Sequence, residues 1–256
     1  MADALSSQFL RSVILKRDTI VDVREYPFCI PAVRNLKELE LHPSVTFFVG
    51  DNGTGKSTLL EALAVASGFN AEGGSRNFNF ATRASHSPLH EHLRIVKGVR
   101  RPRTGFFLRA ESFYNVATEI ENLGEDILEA YGGVPLHDMS HGESFWMLLT
   151  ERFHGNGLYF LDEPEAALSP TRQLSALVRI HELVQQGSQF VVATHSPILM
   201  AYPNARIYLF RESAIEVVDY ESTEHFQVTR DFLNRRDAML RELFAEAAPQ
   251  TTMEFD

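Results

Sequence analysis

The stretch "FFVGDNGTGKSTLLEALA", Phe47 to Ala64, decides the fold of this chain. Apolar Val45, Phe47, Phe48 and Val49 lead into a glycine-rich loop, and the loop leads into Leu59, Leu60, Leu63 and Ala64 at helical spacing. The loop fits G-x-x-x-x-G-K-[ST], with Gly50, Gly55, Lys56 and Ser57 at its fixed positions. In such a loop the backbone N–H groups of Asp51, Asn52, Gly53, Thr54 and Gly55 form a concave surface of donors. The helix opening at Lys56, Ser57 and Thr58 adds its own free N–H groups, so the whole suits α- and β-phosphates. Lys56 is placed to reach the β- and γ-phosphates, and Ser57 to offer its hydroxyl to magnesium. The expected ligand is a magnesium nucleotide.

Composition sets the frame around that loop. The 256 residues suffice for one sizeable α/β domain, and 44% hydrophobic with 23% charged residues is ordinary for a soluble globular chain. No apolar run approaches the roughly 20 residues that span a bilayer, and the N-terminal residues "MADALSSQFLRSVILKRD" lack a cleavage-like site. The single cysteine, Cys29, excludes an internal disulfide, so a reducing cytoplasm is the expected setting and a membrane is not. A net charge of −10 argues against a surface that grips nucleic acid all round. The charge is uneven, however. From Asn70 to Arg109 there are eight basic and two acidic residues, a local +6 against −16 for the rest. Two readings stay open: a nucleic-acid face over 70–109, or a solvated basic face that balances acidic neighbours.

Along the chain, residues 9 to 48 read as short strands punctuated by Pro27, Pro31 and Pro43, which predicts an antiparallel sheet before the phosphate loop. After the first helix, "SGFNAEGGSRNFNFATRASHSPLHEHL" has no period and reads as a loop or insertion. Gly105 to Arg109 reads as a strand, followed by a helical segment ending near Gly124. "SHGESFWMLLTERFHGNG" reads as a helix with Phe145, Leu148, Leu149 and Phe153 on one face. "LYFLDEPEAAL" and "QFVVATHSP" read as buried strands, and the helix between them carries an apolar stripe of Leu174, Leu177, Val178 and Val184. A β-hairpin, "ARIYLFRESAIEVVDY", and a closing helix after about Thr223 complete the chain. Alternating strands and helices predict a parallel sheet whose ligands lie at the carboxyl ends of its strands, where Lys56, Asp162 and His195 all fall.

Two further motifs narrow the chemistry. In "LYFLDEP", Asp162 and Glu163 end a buried strand, so one carboxylate can hold magnesium while the next points at the attacking water. Two adjacent acids there are costly without cations to offset them. "MSHGES", Met139 to Ser144, reads as a helix capping box from Ser140 to Glu143. Gly142 inside the first turn costs the helix up to about 1 kcal/mol, which makes sense where a backbone must come close to something. A helix N-terminus with exposed donors is also an anion site in its own right.

Together these motifs resemble the ABC-type ATPases. Gly50 to Ser57 is similar to their Walker A motif, Leu158 to Glu163 to Walker B, Met139 to Glu143 to the "LSGGQ" signature, and "ATHSP" to the histidine switch. In wording the chain looks closest to small, soluble, single-domain bacterial ATPases of the RecF-like and chromosome-maintenance-related group. The resemblance implies an α/β P-loop fold, with a mostly parallel sheet flanked by helices and an N-terminal antiparallel β-subdomain. It implies one ABC-type domain over 1–256, with a basic insertion at about 70–104 and a helical signature region at about 112–156. It implies ATP and Mg2+ as cofactors, Ser57 and Asp162 on the metal, Glu163 polarising water and His195 sensing the γ-phosphate. It also implies an ATP-dependent homodimer in which Ser140, His141, Gly142 and Glu143 of one chain complete the site of the other. The work coupled to hydrolysis is expected to be DNA repair or phage defence; the alternative is an ATP-binding transporter subunit docked on a membrane partner. Departures are His141 for glycine and Glu143 for glutamine in the signature, and Ser169 where transporter subunits usually carry aspartate. No glutamine loop is evident, Glu111 being the nearest polar candidate, and Tyr26 or Phe28 is the candidate to stack on adenine.

Overall fold

The computed structural model describes residues 8–76, 87–109, 118 and 139–246. The chain divides into two compact units, one ending at Val218 and one beginning at Asp219. In the first, a seven-stranded sheet and a three-stranded sheet hold the core.

The three-stranded sheet pairs β1 (Leu10–Leu15) antiparallel with β2 (Glu38–Glu40) on one side and β5 (Leu93–Lys97) on the other. The expected antiparallel sheet before the phosphate loop is therefore there, but its third strand comes from beyond that loop. The stretch read as an insertion is thus built into the fold through β5. The helical segment expected up to Gly124, and Glu111, lie outside the described residues.

The seven strands run in the order β10 (Ile215–Val218), β9 (Arg206–Phe210), β3 (Val45–Gly50), β8 (Gln189–Ala193), β7 (Gly157–Asp162), β6 (Thr104–Arg109), β4 (Gly74–Ser75). From β9 to β6 every pairing is parallel; β10 and β4 close the edges antiparallel, β9 and β10 as the expected hairpin. The central strands β3, β7 and β8 are buried at every position, which is why they read as continuous apolar runs. Phe48 and Phe160 on these strands, and Phe107 on β6, are wholly buried, each worth about 2 kcal/mol of burial. Gln189 ties the two sheets together: its Oε1 accepts from Phe9 N at 3.1 Å and Leu10 N at 2.9 Å, and its Nε2 donates to Leu10 O at 2.8 Å and His42 O at 2.9 Å. A buried amide with all four bonds made is stabilising rather than costly.

Helices α1 (Pro31–Asn35), α2 (Lys56–Ala66), α3 (His141–Met147), α4 (Pro170–Gln185) and α5 (Pro197–Met200) belong to this unit. α3 continues into a π-helical turn, Leu148–Arg152, with Leu148 and Leu149 buried. The face of α4 differs from the expected one. Gln173, Ala176, Ile180 and Leu183 are buried, while Leu174 is 55% and Val178 61% exposed. Gln173 sets this rotation, because its Nε2 donates to Leu168 O at 2.9 Å and its Oε1 accepts from Ser196 Oγ at 2.6 Å. The second unit holds α6 (Glu224–Glu246), kinked at Arg235. Among the described residues no helix is long and apolar enough to cross a membrane.

Candidate functional site

The parallel order brings the carboxyl ends of β3, β8, β7 and β6 side by side, and each ends in a residue with chemistry. Register pairs Phe48 with Ala193, Ala193 with Asp162, and Asp162 with Arg109. The phosphate loop, the Thr194–His195 turn, the Asp162–Glu163 turn and Arg109 therefore converge.

In the loop, Gly50 and Gly55 adopt φ of 135° and 97°, in the left-handed region. A Cβ on Gly50 would lie 2.3 Å from Phe210 O, and one on Gly55 2.9 Å from Ile30 Cγ2, so both positions exclude a side chain. Lys56, 4% exposed, folds back to donate from Nζ to Gly50 O at 2.7 Å and Asp51 O at 2.8 Å. Burial pushes its pKa down, although Glu163, Asp162, Asp51 and Glu165 pull it up. An ammonium held this way gains most from an anion that can reach it.

Ser57 Oγ donates to Asp162 Oδ1 at 2.8 Å. Two hard oxygen donors this close fit magnesium, which takes few protein ligands and fills its octahedron with phosphate and water. Among the described residues no group of three or more His, Cys, Asp or Glu forms a metal cage. Arg109 Nε lies 3.4 Å from Asp162 Oδ2, and its Nη1 donates to Glu61 Oε2. Arg109, counted above with the basic segment, thus belongs to the acidic site. Glu61, itself buried on α2, also accepts from Ser87 N at 3.1 Å.

Glu163 has φ 50° and ψ 52°, a left-handed backbone for a residue with a side chain. Strain of this kind costs on the order of 1 kcal/mol and gathers at functional sites. Here Glu163 N donates to Ala193 O at 2.9 Å and holds the turn in place. Its Oε1 lies 3.7 Å from His195 Nε2. Burial, then Lys56, lowers the His195 pKa, so the imidazole is neutral near pH 7. Glu165 supports the histidine from below: Oε2 accepts from Thr194 Oγ1 at 2.7 Å and Oε1 from His195 N at 2.5 Å. Burial raises its pKa despite those bonds.

A family model described as "AAA domain" matches residues 21–121, and one described as "AAA domain, putative AbiEii toxin, Type IV TA system" matches residues 102–201. The chain is 29% identical over 171 residues to ABC transporter G family member STR2 of Medicago truncatula, over 60% of this chain and 24% of that protein. It is 26% identical over 209 residues to the cobalt import ATP-binding protein CbiO of Salmonella typhimurium, over 72% of this chain and 74% of that one. By these matches the chain is similar to the ABC-type P-loop ATPases. It spans about a quarter of the length of the first curated relatives it matches. The solved structure of cbiO1 from Clostridium perfringens aligns at TM-score 0.48 and 17% identity, over 92% of this chain and 99% of that one.

For an ABC-type ATPase the residues expected in one chain are brought together: Asp51 to Thr58, Asp162, Glu163 and His195. Ser140 and Glu143 form a complete capping box, with Ser140 Oγ accepting from Glu143 N and Glu143 Oε2 accepting from Ser140 N at 3.0 Å. Hydrogen bonds from Ser140 hold the Glu143 pKa down. Gly142 has a neighbour in its own chain, since a Cβ there would lie 2.8 Å from Ala167 O. The His141 side chain lies outside the described atoms. Of the two aromatic candidates, Phe28 is core, edge-on to His92, whereas Tyr26 is 60% exposed with its hydroxyl 3.4 Å from Thr58 Oγ1. Arg109, Glu61 and Glu165 escaped the sequence reading. The signals were a glutamate inside the apolar run "LLEALA" and a third acid in "DEPE".

Proposed function

We propose that this chain binds ATP with magnesium at Asp51 to Thr58 and hydrolyses it, as a cytoplasmic protein that pairs head to tail with a second copy when ATP is bound. The observation that carries the reading is Glu163 beside His195 at 3.7 Å, next to the Ser57–Asp162 pair at 2.8 Å and buried Lys56. Bound magnesium neutralises charge on the β- and γ-phosphates. Lys56 exchanges the carbonyls of Gly50 and Asp51 for phosphate oxygens, and Ser57 and Asp162 hold the metal. Glu163 orients a water and takes its proton, while neutral His195 hydrogen-bonds the γ-phosphate. Catalysis is mostly positioning and charge stabilisation.

In the dimer, Ser140, His141, Gly142 and Glu143 of one copy complete the γ-phosphate site of the other across an isologous interface. The capping box is compatible with this role, because it fixes the helix end that presents the donors. Exposed Tyr26, beside Thr58, is the residue that stacks on adenine. The load is nucleic-acid work in repair or phage defence, through the basic stretch 70–109. A second reading, an ATP-binding subunit on a membrane partner, is favoured by the transporter names of the relatives. Fractionation of native lysate separates the two, by finding the protein with cytosol or with membranes.

Glu163→Gln tests the catalytic assignment. It keeps the shape and the metal ligand but removes the base, so ATP binds and persists while turnover falls on the order of 100-fold or more. Turnover within a few-fold of the parent, measured by phosphate release, would assign the base elsewhere.

A further inference from the structure

At the opposite end of α2 from the phosphate loop, we propose a second anion site that takes a backbone phosphate of a nucleic-acid strand. It is a cavity of about 180 Å3 where β6 and β7 begin, between the start of β1 and the end of β5. Phe9 and Leu158 contribute apolar walls, and Arg76, Lys97, Arg100 and Arg101 contribute charge. Among the described residues that line it there is no carboxylate.

The cations are not spent on acids elsewhere. Arg76, Lys97 and Arg101 make no ion pair among the described residues. The Arg76 guanidinium lies over the Phe69 ring at 5.0 Å, where it loses water although the residue as a whole is exposed. That desolvation lowers its pKa with no neighbouring charge to offset it. Arg100 is fixed in place, over Phe9 at 5.6 Å and donating to Asn156 Oδ1.

An independent observation points the same way. Ser67, 7% exposed, lines the cavity, and its buried Oγ has no hydrogen-bond partner among the described residues. A buried hydroxyl without a partner is rare and calls for an acceptor. The C-terminus of α2 opposes an anion here, but it carries about half a negative charge against several whole positive ones.

A strand is favoured over a lone small anion because the charge runs on past the cavity. Arg94 to Arg103, "RIVKGVRRPR", holds five cations and no acid in a protein of net charge −10. The inference sharpens the nucleic-acid part of the proposed function and is independent of ATP hydrolysis.

The test is fluorescence anisotropy of a labelled single-stranded oligonucleotide, using full-length Lys56→Ala protein so that nothing enters by the phosphate loop. In that background Lys97→Glu or Arg101→Glu weakens binding on the order of tenfold and flattens its salt dependence. Ser67→Ala weakens it about threefold through the lost hydrogen bond. Arg236→Glu, on α6, leaves it unchanged. The pocket substitutions placed in the parent protein keep its ATP turnover, which shows that they fold. Absence of binding at low salt, or an Arg236→Glu effect as large as that of Arg101→Glu, overturns the proposal. Binding of inorganic phosphate or AMP as tight as that of the strand overturns it too, by making the pocket a small-anion site.

Discussion

The two ends of α2 sit in opposite electrostatic surroundings. At Lys56, the carboxylates of Asp51, Asp162, Glu163 and Glu165 act on one desolvated ammonium. At Ser67, among the described residues, four cationic side chains and no acid line a cavity. At the phosphate-loop end the imbalance is desolvated and therefore costly, since Lys56 and Asp162 are buried, whereas Lys97, Arg100 and Arg101 at the other end are exposed. The difference lies in how each is built. The acidic end comes from turns that follow single strands, so each part is a contiguous motif. The cationic end is assembled from Phe9, Ser67, Arg76, the run Lys97 to Pro102, and Leu158, and it exists only after folding.

Arg109 crosses this divide, and removing it is the harshest test of the comparison. Its guanidinium serves Glu61 and Asp162, whose side chains are more buried than its own. Arg109→Ala leaves two enclosed acids without their resident cation, and we expect the unfolding free energy in urea to fall by ~3 kcal/mol. A loss below ~0.5 kcal/mol, in the range of a surface pair, would mean that water already screens the acidic end. Arg109→Lys should fall between, keeping charge but losing the fork that reaches two carboxylates.

A smaller effect is expected at Glu165. Burial raises its pKa above the ordinary 4.5, so the fold favours the protonated form. Below pH 4.5 the group is protonated both folded and unfolded and costs nothing; as pH rises from there to the folded pKa, the unfolded chain ionises first and stability declines. Glu165→Gln should remove that decline, so that urea midpoints of parent and variant diverge between pH 4 and 7 in the variant's favour as pH rises. The amide nitrogen forfeits one of the two bonds from Thr194 and His195, which displaces the two curves by a constant amount but leaves the pH-dependent part readable. Parallel curves would show that the carboxyl is solvated.

The parts legible in the sequence were those written on one strand and its following turn. Gly50 to Ser57, Asp162 and His195 were expected at carboxyl ends of parallel strands, and β3, β7 and β8 end there. The hairpin of β9 and β10 was legible because alternation and a tight turn are local. The face of α4 was not. Apolar spacing put Leu174 and Val178 inward, but the hydrogen bonds that Gln173 donates to Leu168 and accepts from Ser196 hold Gln173 inward and turn them out. Gly142 suggested a close approach, and the group it meets, Ala167 O, is set by how the turn after Asp162 packs against α3. The third strand of the small sheet lies within the stretch read as a basic insertion, and it was missed because its partner β1 lies far away in sequence.

In the function proposed above, Ser140 to Glu143 act across a dimer and not only as a helix cap. Glu163→Gln protein, which traps ATP, can be weighed by light scattering after size exclusion, with and without magnesium-ATP. We expect a dimer with nucleotide and a monomer without it, and a monomer under both conditions when Ser140→Arg is added, since arginine fills the place of the partner's γ-phosphate. A trapped protein that holds ATP at micromolar concentrations yet stays monomeric would contradict it, and would leave the capping box as the whole role of that segment.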